Sequence, residues 1–323
     1  MFNRYTILRF FQRILKETGK TSWILFKIMI PISIAVKIIQ ELNLLPYVGK
    51  LLAPLMNLVG LPGETGLIWA SALIVNIYGG ILTYLSLVSS SGLSLSSAQL
   101  TVLLTMILVA HTFPVELQIA RKAGIKMIVM FLLRFVMALV LGGLIFQIYR
   151  FFNLFQDTAP IPQIIPQKNT TLLQWVLGEL QNYATILLFI FSLLLILELL
   201  KVTHIIGYIN RLLYPVLKVL GIGKEVVPIA VVGLTLGISY GGAIIIKEAN
   251  EGKASRRDVF YALTLMGLCH SMIEDTLLMI AMGGKISGVL FARIIFALFI
   301  SWTIVQLTKN FSDKQFKRWF LVK

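Results

Sequence analysis

Charge and cysteine are both scarce in this sequence. Charged residues make up 13% of its 323 residues and hydrophobic residues 58%, whereas ordinary soluble domains carry about 25% charged residues. A soluble fold of this composition would aggregate, so most of the chain is expected to lie in a membrane. The one cysteine, Cys269, excludes an intramolecular disulfide and any zinc or iron–sulfur site made from several cysteines.

Motifs of enzyme chemistry are also missing. The sequence contains no phosphate-binding loop, no nucleophile elbow and no HExxH metalloprotease motif. We therefore expect neither a catalytic residue nor a cofactor, and we predict that the protein is not an enzyme.

Long apolar runs dominate the chain. Several approach the roughly 20 residues that span a bilayer, among them Ser22 to Gln40, Met127 to Tyr149, Tyr183 to Leu200 and Ile286 to Leu307. The formal net charge is +15, but the basic residues lie in short segments between the runs, as in the cytoplasmic loops of membrane proteins. This pattern predicts an all-α polytopic protein of the inner membrane whose partner is the lipid bilayer, and it argues against nucleic-acid binding.

The sequence repeats itself. The stretch LLPYVGKLLAPLMNLVGLPGE from Leu44 matches HIIGYINRLLYPVLKVLGIGKE from His204. Three later blocks match at nearly the same spacing, and they centre on the pairs Tyr78 with Tyr240, His111 with His270, and Arg134 with Arg293. Because four blocks keep one register, we interpret the chain as two homologous halves.

Each half reads as a span, an amphipathic surface helix, a glycine-interrupted apolar segment and two further spans. If the interrupted segments, Gly66 to Leu87 and Pro228 to Ile246, enter the bilayer and return, most of the 29 basic residues face the cytoplasm. Full crossings would instead place two basic clusters outside, against the positive-inside rule. We therefore predict two inverted repeats with both termini cytoplasmic, each of three transmembrane helices plus an amphipathic surface helix and a re-entrant hairpin.

Five parts follow from this division. Residues 1–21 carry several basic residues and no cleavage site, so they are predicted to be a cytoplasmic amphipathic N-terminus. Residues 22–150 form the first repeat and 177–308 the second. The proline-containing stretch 151–176 is the extracytoplasmic linker, and 309–323 are a basic cytoplasmic tail.

These features resemble the Gate, or nucleoside recognition, family, whose relatives include the concentrative nucleoside transporters and the membrane part of ferrous-iron permeases. The stretch GGAIIIKEANEGKASRRDVFYALTLMGLCH, from Gly241 to His270, is similar to the second hairpin arm and following helix of the transporters. The resemblance covers about Ser22 to Leu307. It implies the same order of spans and hairpins and the transport of a small solute such as a nucleoside or nucleobase.

The tips of the two hairpins are predicted to bind the solute. Helices broken at the bilayer midplane leave backbone groups free, and such tips form the solute sites of inverted-repeat transporters. Glycine lets the backbone approach a ligand and tyrosine offers a ring face and a hydroxyl, although close helix packing is the alternative role of the glycines. The candidates are Asn76, Tyr78, Gly79 and Gly80 at one tip and Ser239, Tyr240, Gly241 and Gly242 at the other.

A histidine near the middle of one span in each half is the second candidate group. Ionisable groups in a bilayer are costly and mark functional sites, and histidine can relay protons near neutral pH; hydrogen bonding between helices is the alternative. Each histidine precedes a hydroxyl residue and, five positions on, an acid that would lie about 7 Å along an unbroken helix. The candidates are His111, Thr112 and Glu116 in the first half and His270, Ser271, Glu274 and Asp275 in the second.

Arg134 and Arg293 lie in the last span of each half. They are too deep to reach the membrane surface easily, so each is expected to pair with an acid of the preceding span. We predict structural ion pairs of Arg134 with Glu116 and of Arg293 with Asp275 or Glu274.

The sequence leaves three functions open. The first is a small-solute transporter with a midplane site between the hairpin tips and a coupling proton or Na+. The second is a divalent metal-ion permease of the ferrous-iron kind, since histidine, cysteine, methionine and acid side chains suit a transition metal; their spacing matches no structural metal motif, so no resident metal is predicted. The third is a membrane partner or assembly protein that does not transport. The oligomeric state is also open, a homo-oligomer included.

Overall fold

The computed structural model describes residues 4–160, 171–203, 205–223 and 225–322, and nearly all of them lie in helices. The first half contains α1 (Arg4–Glu41), α2 (Leu45–Asn57), α3 (Thr65–Ile74), α4 (Ile77–Ser91), α5 (Ser97–Val109), α6 (Phe113–Lys122) and α7 (Met127–Phe151). The second half contains α8 (Leu172–Val202), α9 (Ile205–Val219), α10 (Val227–Leu236), α11 (Ile238–Asn250), α12 (Arg256–Cys269), α13 (Glu274–Ala281), a π-helical turn (Ser287–Ala292), α14 (Arg293–Thr308) and α15 (Asp313–Phe320).

Five segments of the described chain are long and apolar enough to cross a membrane. They are Ser97–Lys122, Met127–Phe151, Leu172–Ile196, Arg256–Ala281 and Ser287–Thr308. The predicted all-α polytopic membrane fold is therefore confirmed. The inverted relation of the two halves stays a prediction from the sequence.

The centre of the molecule is formed by α5 and α12. About four-fifths of an 18-residue apolar stretch in each surrounding segment is buried, 83% in Ser97–Lys122 and 78% in Arg256–Ala281. In contrast, only 33% of the corresponding stretch in Met127–Phe151 is buried, and the exposed side chains of this segment include Ile128, Leu132 and Leu144. Such apolar outer faces are what lipid solvates, so α5 and α12 are shielded from lipid by the other helices.

Two pairs of short helices, α3 with α4 and α10 with α11, occupy equivalent places in the two halves and pack against each other within each pair. The ten residues of α3 extend about 15 Å, half the thickness of a bilayer core. A Cβ on Gly80 would lie 2.8 Å from that of Ala72, and one on Gly241 would lie 2.6 Å from the Cα of Gly233. Glycine at these positions thus lets the two arms of each hairpin approach closely, the packing role named above as the alternative.

The predicted N-terminal segment and the basic tail are both helical where the structure describes them. The predicted amphipathic N-terminus and the first predicted span lie in one continuous helix, α1. The basic tail forms α15, whose Phe316 is buried against Phe260 at a ring-centroid distance of 5.6 Å. Within the predicted linker, residues 161–170 lie outside the described part of the chain.

Gly60 and Gly221, which the repeat places at equivalent positions, should respond differently to alanine. Both have a positive φ, 71° and 80°, which costs a residue with a Cβ about 1–2 kcal/mol. The new Cβ at Gly60 would overlap the Phe146 ring at 2.1 Å, whereas at Gly221 its nearest neighbour is Val305 Cγ1 at 3.2 Å. Thermal melting in detergent should show the larger loss for Gly60→Ala, by about a further 1–3 kcal/mol of overpacking; equal losses would contradict this packing.

Candidate functional site

The two central segments break at their histidines. The first segment is interrupted between Val109 and Phe113, and the second between Cys269 and Glu274. Thr112 and Ser271, which follow the histidines, have positive φ values of 50° and 47°, a strained conformation for a residue with a side chain that persists mainly at functional sites. The expectation that His111 and His270 lie inside unbroken spans is therefore wrong: each lies at the end of a helix.

The hairpins satisfy backbone groups exposed by these breaks. The Thr112 N–H donates to the Ala72 carbonyl at 2.9 Å, and the Met272 N–H donates to the Leu234 carbonyl at 2.8 Å. The Trp69 indole N–H adds a bond to the Ala110 carbonyl at 3.2 Å. Because a bilayer offers no water to such groups, each broken helix depends on the first arm of its hairpin.

The two arginines hold the carbonyl ends of the broken helices. Arg134 Nε donates to the Val109 carbonyl at 3.0 Å, and a second nitrogen donates to the His111 carbonyl at 3.4 Å. Arg293 repeats this arrangement with the carbonyls of Leu268, at 3.4 Å, and His270. A cation at a helix C-terminus is favourable because the last carbonyls are unpaired and carry partial negative charge.

The arginines differ in their acid partners. Arg134 forms the predicted ion pair with Glu116, and both side chains are buried. Arg293 has no ion pair with Asp275 among the described residues, and its Nη1 is buried without a hydrogen-bond partner. The pair with Asp275 is therefore not formed there, and the alternative pair with Glu274 stays a prediction. Asp275 holds the repeat position of Glu116, but its side chain is shorter by one methylene group.

The histidines of the two halves meet at the centre of the molecule. Their Nε2 atoms lie 3.2 Å apart, and Glu116 Oε1 lies 3.5 Å from that of His111 and 3.3 Å from that of His270. Glu116 therefore contacts its histidine directly, instead of lying 7 Å away, because the chain turns at Thr112. One carboxylate faces both imidazoles.

The hydrogen bonds made by Nδ1 of each histidine determine what kind of ligand the two Nε2 atoms can bind. His111 Nδ1 lies 2.8 Å from the Ile107 carbonyl, and His270 Nδ1 lies 2.9 Å from the Met266 carbonyl. A carbonyl only accepts, so both Nδ1 atoms carry hydrogen, and a ring in its neutral form presents a lone pair at Nε2. Two lone pairs at this distance repel unless a hydrogen or a cation lies between or beside them. The site is thus built to accept positive charge or hydrogen-bond donors.

A cavity of about 240 Å³ opens beside the two histidines. Its lining includes seven residues predicted from the sequence: His111, Thr112, Glu116, His270, Ser271, Glu274 and Asp275. Val115, Gly237 and Ile238 complete it, and these three were missed. The φ of 104° at Gly237 marks the break between α10 and α11, so the glycine of LGISYGG, before the predicted tip, was the signal for it.

The predicted tip residues lie around this cavity without lining it, as far as they are described. The Asn76 side chain caps α4 by accepting from the Gly79 N–H at 2.9 Å, and Tyr78 lies within electrostatic reach of Glu274 and Asp275. A Cβ on Gly242 would meet Ile119 Cγ2 of α6 at 2.6 Å, so this glycine, like Gly80 and Gly241, serves packing. The side chains of Ser239 and Tyr240 lie outside the described part of the chain.

Three of the lining residues have the spacing of metal ligands. One ligand atom from each of His111, His270 and Asp275 lies within 4.8 Å of the others, and all three residues are buried. Two imidazoles and a carboxylate suit divalent ions of the first transition row. A cation at this point would also relieve the repulsion between the two Nε2 lone pairs.

Comparison with known proteins relates this chain to a family and to a bacterial membrane protein. The model of the Gate family, described as nucleoside recognition, matches residues 22–126 and 183–286, one stretch in each half. The uncharacterized membrane protein YvoD of Bacillus subtilis (strain 168) is 27% identical over 302 residues, which cover 90% of this chain and 92% of that protein. No solved structure matches the chain.

Proposed function

The chain belongs to the Gate family of membrane proteins, and from this membership we propose that it carries a small polar solute across the bilayer through the cavity between its two broken helices. The observation that carries the proposal is the chemistry of the lining. The acids Glu116, Glu274 and Asp275 line the cavity together with two imidazoles, which accept at Nε2 when they are neutral and hydrogen-bonded at Nδ1. The protein acts as a carrier and not as an enzyme.

The solute class follows from charge and size. A site of acceptors selects ligands that offer several N–H or O–H donors, because an unpaired buried acceptor costs about 1–3 kcal/mol. The cavity of about 240 Å³ is smaller than the roughly 300–1,000 Å³ of pockets for drug-sized ligands. A nucleobase with an exocyclic amino group, alone or as part of a nucleoside, has such donors and is small enough for the cavity. It also agrees with the description of the family as nucleoside recognition.

Ligand-induced stabilisation tests this proposal. Purified protein in detergent is mixed with nucleobases and nucleosides, and a ligand at about 100 times its Kd should stabilise the fold by about 2.7 kcal/mol. We expect Asp275→Asn to abolish the rise in melting temperature. Thr105→Val is the matched control, because Thr105 is buried on α5 and its hydroxyl donates to the Thr101 carbonyl of the same helix. A rise that survives in Asp275→Asn would contradict the site.

A divalent cation as cargo is the second candidate, favoured by the clustering of His111, His270 and Asp275. In the same assay Fe(II), Mn(II) or Zn(II) would then stabilise the protein, and a chelator would reverse the effect. Nucleobases would have no effect in that case. Stabilisation by neither class, with intact cellular function in Asp275→Asn, would support the non-transport role.

We further propose that the protein lies in the inner membrane with both termini in the cytoplasm. The uncharged SSSGLSLSSAQ loop would then face outward and the basic loop around Lys253 inward. Single cysteines in a Cys269→Ser background should react with an impermeant thiol reagent on intact cells at Ser94 but not at Lys253, whose side chain is exposed. Labelling of the Lys253 position alone would reverse the topology.

A further inference from the structure

A second buried polar cluster lies away from the histidines, between α1 and α8. It consists of Ser33 on α1 and of Glu179, Asn182 and Tyr183 on α8. Ser33, Glu179 and Asn182 are only 2%, 6% and 2% exposed, and the α8 residues lie within the candidate membrane span Leu172–Ile196. A buried acid in a membrane span is costly and calls for a reason.

The cluster is a chain of hydrogen bonds that ends on the acid. The Tyr183 hydroxyl donates to Ser33 Oγ at 2.9 Å, and Ser33 Oγ donates to Glu179 Oε2 at 2.8 Å. The Asn182 amide lies beside the same carboxyl group. Among the described residues no cation lies within ion-pair distance of Glu179, and Asn182 Oδ1 is buried without any hydrogen-bond partner.

Counting donors and acceptors shows that this cluster lacks one hydrogen. An ionised Glu179 only accepts, so it leaves Asn182 Oδ1 unpaired in a bilayer interior. Turning the amide around would instead point Oδ1 at the carboxylate, where again nothing donates. A protonated Glu179 supplies the missing hydrogen in this second orientation, because its O–H can donate to Asn182 Oδ1.

Other charged groups near α8 do not supply the missing partner. On α1, Lys37 pairs with Glu41 at 2.6 Å and lies over the Trp175 ring. On α9, Arg211 lies over the Tyr208 ring. Lys27, also on α1, lies over the Trp23 ring, and Lys16 and Lys20 are exposed nearer the start of that helix. Titratable groups on two other elements that pack against α8 are acids and phenols, namely Glu274 and Asp275 on α13 and Tyr78 and Tyr84 on α4.

We propose that Glu179 is a proton-binding site within the membrane, with Asn182 and Ser33 as its hydrogen-bond partners. It is separate from the cavity beside the histidines, so a solute and a proton can be held at the same time. Its use as the coupling site rests on the proposed transport function, but proton binding itself does not.

Infrared spectroscopy of the purified protein tests proton binding without any solute. A protonated carboxylic acid in an apolar site has a carbonyl stretch separate from the carboxylate bands. We expect such a band at neutral pH in the wild type and its loss in Glu179→Gln, whose amide can still donate to Asn182 Oδ1. A wild-type spectrum without the band, or a band unchanged in Glu179→Gln, would overturn the proposal.

Melting temperature against pH is the second measurement. Above about pH 4.3, where a carboxyl group in water has lost its proton, the folded chain would hold one proton more than the unfolded chain. The wild-type melting temperature should then fall as pH rises. The contribution of Glu179 to this fall should be absent in Glu179→Gln. Identical pH profiles would contradict the proposal, as would stabilisation by Na+ that Glu179→Gln abolishes, since that result assigns the site to sodium.

A further variant guards against poor folding of Glu179→Gln. Asn182→Leu removes the acceptor and leaves the acid in place. The carboxylic acid band should move to the position of a more weakly hydrogen-bonded group. A band that does not move would show that Asn182 is not its partner and would overturn the assignment.

Discussion

Arg134→Met should lower the free energy of unfolding by about 3–5 kcal/mol, the usual cost of leaving one member of a buried ion pair alone. Arg134 is 1% exposed and Glu116 is 5% exposed, so neither water nor lipid headgroups can replace the lost partner. The change also removes two hydrogen bonds to the carbonyls of Val109 and His111. Thermal or denaturant unfolding in detergent measures the loss.

Arg293→Met is the matched control, because Arg293 holds the equivalent position in the second half. It makes the same two kinds of carbonyl contact, to Leu268 and His270, but among the described residues it forms no ion pair with Asp275, which holds the repeat position of Glu116. The change even removes the buried, unpaired Nη1. We therefore expect a smaller loss of stability than for Arg134→Met.

A double-mutant cycle with Glu116→Gln separates the ion pair from the helix-end contacts. In the Glu116→Gln background Arg134→Met should cost less than in the wild type, because no buried carboxylate is left alone. Arg293→Met should cost the same in both backgrounds. Additive losses for Arg134 and Glu116 would contradict a direct ion pair, and equal costs for the two arginines would contradict the difference between the halves.

Self-similarity of the sequence predicted the hairpins, the central histidines and the deep arginines. Each of these is a local pattern: an apolar run, a glycine pair or a charge at a fixed place in a span. The pairing of Arg134 with Glu116 was also predictable, since a buried arginine needs an acid and few acids lie in the spans. The hydropathy of the spans and the free-energy cost of a charge inside the membrane are sufficient to predict these features.

The breaks at His111 and His270 were not predictable in the same way. Pro114 stands in the first turn of α6, where proline fits a helix start, but the second half breaks with no proline at that place. The breaks are held by hydrogen bonds from distant hairpins, at Ala72 and Leu234. Such tertiary contacts leave no periodic signal in the chain.

The missing ion pair between Arg293 and Asp275 has a different cause. The repeat suggested that Asp275 would act as Glu116 does, because the two acids hold matching positions. Similarity of pattern does not include the length of a side chain, and one methylene group decides whether a carboxylate reaches a guanidinium group. Differences of this size require coordinates.

His111→Ala and His270→Ala should each weaken ligand binding by about ten- to a hundredfold. Each removes one Nε2 acceptor from the cavity, and a hydrogen bond to a charged or strongly polar group contributes about 1.5–3 kcal/mol. The ligand is whichever nucleobase, nucleoside or divalent cation raises the melting temperature of the wild type. Titration of that rise against ligand concentration gives the Kd of each variant.

The double variant distinguishes a shared site from two separate ones. The two Nε2 atoms are 3.2 Å apart, and Glu116 Oε1 faces both, so they present one acceptor surface to one part of the ligand. We therefore expect the loss of affinity in the double variant to be smaller than the product of the two single losses. Losses that multiply fully would mean that the histidines bind separate groups. Single variants that melt at lower temperature but keep the wild-type Kd would show that the pair only joins the two halves of the protein.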